Sequence, residues 1–184
     1  MKDTLYIFIL IVTLSGCKNA DIEKVQLAEL DGSKIDLSVY AGKKVFIHLW
    51  ATWCGPCIKE MPTIDKVQGM LKDDNVVFFL ASNEDAEEIL EFTKSRPYNF
   101  HYVRLLNFEE LSIPALPTTY IFDESGNLKF SETGTRDWST PANLSLISGS
   151  TKDARTNEIP VPVTNASAEP FLFADDASIF LSWG

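Results

Sequence analysis

Cys54 and Cys57 are separated by two residues in the run Trp53, Cys54, Gly55, Pro56, Cys57. That spacing lets two sulfurs meet in a disulfide without stretching the backbone. The pair follows segment 45–50, VFIHLW, which is apolar enough to be a strand buried on both faces. It precedes a helical stretch to about Leu71, in which Ile58, Met61, Ile64, Val67 and Leu71 recur at helix-like spacing. At such a junction the first thiol lies at the positive end of a helix, which favours its thiolate. In this arrangement its pKa falls from about 8.5 towards roughly 7 or below. Cys54 is therefore expected to attack a substrate disulfide, and Cys57 to resolve the mixed disulfide. Pro56 removes a backbone donor and fixes φ in the first helical turn, which limits the geometry of the pair. Trp50 is read as core packing and Trp53 as the rim of the redox site.

A pair of this spacing can also be half of a zinc site, which needs two further ligands. The chain has three cysteines and two histidines. Cys17 lies far towards the N-terminus, and His48 and His101 are not in a paired spacing. A lipid-anchored carrier of a soft metal remains the non-enzyme alternative. Three cysteines are too few for a disulfide-stapled scaffold, and 184 residues can supply a hydrophobic core without one. The net charge of −10 argues against a nucleic-acid partner, because an acidic surface repels phosphate backbones.

The surrounding pattern alternates strands and helices. Segments 25–30 and 33–37 alternate around Asp31 and Gly32 as a hairpin would. Segment 76–81, VVFFLA, reads as a second buried strand. An acidic amphipathic helix is expected over 84–94, with Ile89, Leu90 and Phe92 facing inward. A short strand follows at 102–106, then a hairpin of 118–122 with 128–130. A last helix opens after Ser139 or Thr140, with Pro141 in its first turn, and ends near Gly149. This order implies an α/β fold with a mixed central sheet flanked by helices and an N-terminal β-hairpin. Glu60 and the Asp73–Asp74 pair are read as solvated charges.

Both ends read differently. Residues 1–16 are expected to be a lipoprotein signal peptide: Lys2 precedes an uncharged, mainly apolar run of ten residues, LYIFILIVTL, against roughly 20 for a membrane-spanning helix. Leu14, Ser15, Gly16 and Cys17 resemble the bacterial lipobox, in which the cysteine is acylated and becomes the mature N-terminus. Asp3 offsets Lys2, and an ordinary signal peptide with an incidental cysteine is the alternative. Residues 17–24 are read as a short linker, 25–149 as the domain and 150–184 as a flexible C-terminal tail. Three of the nine prolines fall in that tail, although 171–183 is more apolar than a tail should be.

Taken together, 50–57 (WATWCGPC) and 59–62 (KEMP) resemble the thioredoxin superfamily, and within it the exported TlpA/ResA-like branch of thiol-disulfide oxidoreductases. The likeness covers about 25–149 and implies a thioredoxin-like fold, with no cofactor beyond the redox-active Cys54–Cys57 disulfide. It implies a cis-proline facing the disulfide, at Pro117 in the run Leu116, Pro117, Thr118, with Pro114 as the competing candidate. Backbone beside that proline would pair with bound substrate. It further implies exported client proteins with disulfides, apocytochrome c among them, and a membrane thiol-electron donor of DsbD/CcdA type. Lipid attachment at Cys17 would hold the domain at a bacterial membrane facing the periplasm or cell surface. Gly55–Pro56 is the dipeptide of strongly reducing members, with a disulfide oxidase or isomerase on the same fold as the alternative. A peroxiredoxin would carry Pro and Thr where this chain has Ile47 and Ala51. Where thioredoxin has a buried acid, this chain has His48. An imidazole there could shuttle the proton of Cys57, or it could fill space and bond a backbone group.

Overall fold

In the computed structural model the described residues are 20–149. The expected signal peptide, Cys17 and the tail 150–184 lie outside them. Seven strands form one mixed sheet: β1 (Leu27–Ala28), β2 (Lys34–Ile35), β3 (Lys44–Leu49), β4 (Val76–Ser82), β5 (Tyr102–Leu105), β6 (Thr118–Phe122) and β7 (Leu128–Thr133). Three helices accompany them: α1 (Gly55–Met70) between β3 and β4, α2 (Ala86–Lys94) between β4 and β5, and α3 (Pro141–Ser148) after β7. The spatial order is β2-β1-β5-β4-β3-β6-β7. β3 runs parallel to β4 and antiparallel to β6, so the strand that leads into the cysteines lies inside the sheet. That placement explains why 45–49 is apolar at every position but one: both faces are covered.

Alternation along β3 divides the core into two layers. Phe46 and Trp50 join Met61, Ile64 and Val67 of α1, Ile89 of α2 and Ile147 of α3. Val45, Ile47 and Leu49 point the other way, into a layer with Ile22, Val25 and Leu37. His48 shares the parity of Phe46 and Trp50 and so faces the helical layer, with no exposed surface.

Several boundaries differ from the sequence reading. Part of the stretch read as linker belongs to the fold, since Asp21–Lys24 form a 3-10 turn with Ile22 buried. Gly126 (φ +75°) fits beneath this turn, and a Cβ there would lie 2.7 Å from Ile22 Cγ2. The N-terminal hairpin is shorter than expected, because Asp36 caps a second 3-10 turn, Leu37–Tyr40, and sends Leu37 into the core. In α2 only Ile89 is fully buried; Leu90 lies one residue, about 100°, round the helix and is 45% exposed. Thr140 caps α3 through its hydroxyl, and Gly149 (φ +66°) closes it in the left-handed region.

Candidate active site

Cys54 occupies the N-cap of α1, where its Sγ accepts a hydrogen bond from the Cys57 backbone N–H (3.2 Å). The two are joined as a disulfide with a Cα–Cα distance of 5.3 Å. Cys57 is completely buried and Cys54 nearly so, while Gly55 and Pro56 are exposed in the first turn. Trp53 is 74% exposed at the edge of the pair, whereas Trp50 is core.

The loop before the pair is held from the turn that follows β4. The Glu84 carboxylate accepts from Thr52 N (2.8 Å), Thr52 Oγ1 (2.6 Å) and Ser82 Oγ (2.8 Å). Arg104 Nε in turn donates to Glu84 O (3.1 Å). The backbone two residues before Cys54 is thereby fixed by a charged acceptor, a stronger tie than a neutral one.

Leu116–Pro117 is cis, and the bond before Pro114 is not. The pairing of Leu49 with Thr118 sets this proline beside the end of β3, where the chain enters the redox loop. Thr118 Oγ1 bonds Ala115 O (2.7 Å) and Thr133 Oγ1 (2.8 Å), and Pro117 O accepts from Gly134 N (2.8 Å). Leu116 is half-buried against both core layers.

Beneath the disulfide the sequence reading needs correction. Glu60 is not solvated but only 3% exposed. The buried stripe of α1 runs through Cys57, Glu60, Met61, Ile64 and Val67, while Ile58 is only half-buried. Glu60 therefore lies one turn from Cys57 on the same helix face. Its Oε1 accepts from the Trp138 indole and from Arg136 N (3.1 Å). Burial pushes its carboxyl up to about 7, against those two donors and the Arg136 charge, which pull it down. His48 Nδ1 lies 3.0 Å from Thr119 Oγ1, and its Nε2 lies 4.0 Å from Glu60 Oε2. Burial lowers the imidazole to about 3, so it is neutral and the Glu60 contact is not an ion pair. A cleft of about 500 Å³, lined in part by Pro56, Lys59, Glu60 and Arg136, opens on the solvent side. The signal for Glu60 was its i+3 spacing from Cys57. Nothing local marks Trp138 or Arg136, which are 78 and 76 residues away in sequence.

A redox pair at the start of a helix, a cis-proline at the adjacent strand and a mixed sheet define a thioredoxin-type site. The Redoxin family model matches residues 18–145. Thioredoxin-like protein YneN of Bacillus subtilis is 32% identical over 116 residues, covering 59% of this chain and 67% of its own. Thiol-disulfide oxidoreductase ResA of Bacillus cereus is 30% identical over 123 residues, covering 59% and 70%. Among solved structures, a thiol:disulfide interchange protein from Bacteroides sp. superposes with a TM-score of 0.59 at 19% identity, covering 73% of this chain and 91% of that one. Another from Chlorobium tepidum gives 0.56 at 22%, covering 68% and 94%. At such identities these two establish the fold alone. The chain belongs to the Redoxin family, as a TlpA/ResA-like member of the thioredoxin superfamily. Its enzymatic class is thiol-disulfide oxidoreductase. Among the described residues no group of three or more His, Cys, Asp or Glu is placed to hold a metal, and no helix is long and apolar enough to cross a membrane.

Proposed function

We propose that this protein is a lipid-anchored reductase of disulfides in exported proteins. The observation that carries the reading is the capped Cys54 Sγ above a fully buried Cys57, one helical turn from the buried Glu60 carboxyl, which burial pushes up to about 7. In the dithiol form, the Cys54 thiolate attacks a client S–S bond. A Cys54–client bond forms, and the displaced client sulfur leaves and takes a proton. Cys57 then passes its proton to the Glu60 carboxylate, and its thiolate attacks Cys54 Sγ. The Cys54–Cys57 bond forms as the second client sulfur departs. Two electrons have gone to the client, and a membrane thiol donor returns the pair to the dithiol. A group near pKa 7 suits this role because it gives and takes a proton at little cost at neutral pH. Exposed Trp53 and the backbone beside cis-Pro117 are the surfaces offered to the client strand. Apocytochrome c is the client class the family resemblance suggests.

The test is a Cys57→Ala form of the full chain in its native cell, followed by alkylation and capture. The expected result is thiol-sensitive adducts between Cys54 and exported cysteine proteins, with the wild-type pair mainly in the dithiol form. A wild-type pair found mainly as disulfide would overturn the reductase reading in favour of the oxidase. The anchor has its own test: a clickable fatty acid is expected to label the wild type and not Cys17→Ala. An unlabelled, freely soluble wild type after export would remove the lipoprotein reading.

A further inference from the structure

His48, Glu60 and Thr119 bring three polar side chains together from β3, α1 and β6 beside a largely apolar layer. His48 is paired directly opposite Thr119 in the β3–β6 register. Its ring lies nearly parallel to that of Phe46 (interplanar angle 11°, centroids 6.4 Å apart). Nδ1 meets the Thr119 hydroxyl, which can donate or accept. Nε2 and Glu60 Oε2 face each other at 4.0 Å, and among the described residues neither has a hydrogen-bond partner. Two buried, unpartnered polar atoms so placed are costly unless they serve each other.

We propose that His48 is a positioning residue for Glu60: a neutral imidazole whose tautomer follows the charge of the Glu60 carboxyl, with the Thr119 hydroxyl reversing direction to match. This rests on the reading of Glu60 as acceptor of the Cys57 proton. When Glu60 is a carboxylate, the ring carries its proton on Nε2 and turns it to Oε2, while Thr119 donates to the bare Nδ1. When Cys57 has handed over its proton, the S–H bond is broken and an O–H bond formed. The new carboxyl then donates to a bare Nε2, and Nδ1–H donates to Thr119. His48 holds one ring proton in both states, so the layer gains or loses a single charge, that of Glu60. Both states require Nε2 and Glu60 Oε2 to approach from 4.0 Å to hydrogen-bond distance.

The other charges around the site leave this exchange to His48. Facing Glu60 are Arg136, with Glu132 paired to it, the Trp138 indole and Cys57 on its own helix. The Arg136 and Trp138 donors occupy Oε1 and leave Oε2 for the ring. Among the described residues, the polar contacts of His48 are with Glu60 and Thr119, and Phe46 lies along the ring.

The experiment labels the histidine ring nitrogens with ¹⁵N in the oxidised full chain. With two histidines in the sequence, a His101→Asn variant assigns both signals. Between pH 5 and 9 His48 is expected to stay neutral and pass from Nδ1–H to Nε2–H, at the same midpoint as the Glu60 ¹³C carboxyl signal. Glu60→Gln should remove the passage, and Thr119→Val should hold the ring in one tautomer throughout. His48→Asn, too short to reach Oε2, should raise the Glu60 midpoint by about one pH unit. One fixed tautomer in the wild type, an imidazolium signal in that range, or a passage that persists in Glu60→Gln would overturn the proposal. The wild-type measurement decides even if a variant fails to fold. It reads no client and no export, so it fails or succeeds separately from the reductase reading.

Discussion

Cys54→Ser is expected to abolish disulfide reduction, whereas Cys57→Ser should form mixed disulfides and then stop. The asymmetry follows from position on α1. Cys54 caps the helix, so its sulfur receives the Cys57 backbone N–H and the positive end of the helix, and both favour the thiolate. Serine there cannot ionise at neutral pH, so turnover should fall by roughly 1000-fold or more. Cys57 has no exposed surface and lies beneath Cys54, where no client sulfur can reach it. Its substitution removes only the second displacement, leaving the Cys54–client bond to accumulate. The measurement is turnover of a model disulfide protein, with gel detection of adducts before and after thiol treatment. Wild-type turnover by Cys57→Ser, or adducts formed by Cys54→Ser, would reverse the roles assigned here.

The redox pair and its setting were legible because they are written locally. An apolar run, a helix-breaking dipeptide in a first turn and a periodic stripe all lie within 45–71. The need for a cis-proline was legible only through family likeness, and Pro117 is preferred to Pro114 because it lies immediately before the strand at 118–122. Glu60 was misread for a physical reason. A glutamate between a lysine and a methionine has the pattern of a surface charge, and its burial depends on Trp138 and Arg136 arriving from beyond β7. Glu84 has the sequence pattern of the start of an acidic helix, yet its carboxylate turns back to clasp Thr52 across 32 residues. The hairpin was over-extended because alternation continues through Leu37, where Asp36 has already capped a tighter turn. Asn143 is buried in the first turn of α3, donating to Asp137 O (2.6 Å) and accepting from Arg136, a contact no local pattern marks.

The stability of the wild type is expected to change little between pH 4.5 and 6.5 on account of the buried pair, because its two members act in opposite directions. Glu60 has its carboxyl raised by burial from 4.5 to about 7. Within that window the folded chain keeps a proton that the unfolded chain has lost, so its contribution is present below pH 4.5 and fades as pH rises through about 7. His48 is lowered by burial from 6.5 to about 3. Here the unfolded chain holds the extra proton, so the contribution is present above pH 6.5 and fades as pH falls towards 3. Each slope is about 1.4 kcal/mol per pH unit, and where the windows overlap the two cancel. Removing one member should expose the other. Relative to wild type, Glu60→Gln should gain stability from pH 4.5 to 6.5 by roughly 2 kcal/mol, and His48→Asn should lose a similar amount over the same interval. Carboxylates held low elsewhere, such as Asp21, Asp31, Asp36 and Asp137, are common to all three proteins and drop out of the differences. Urea unfolding of the oxidised full chains at pH 4.5, 5.5 and 6.5 measures this directly, and a cavity or a lost hydrogen bond would offset a curve without tilting it. Three parallel curves would show that neither group is shifted in the folded protein, and the account of a neutral imidazole beside a protonated carboxyl would have to be given up.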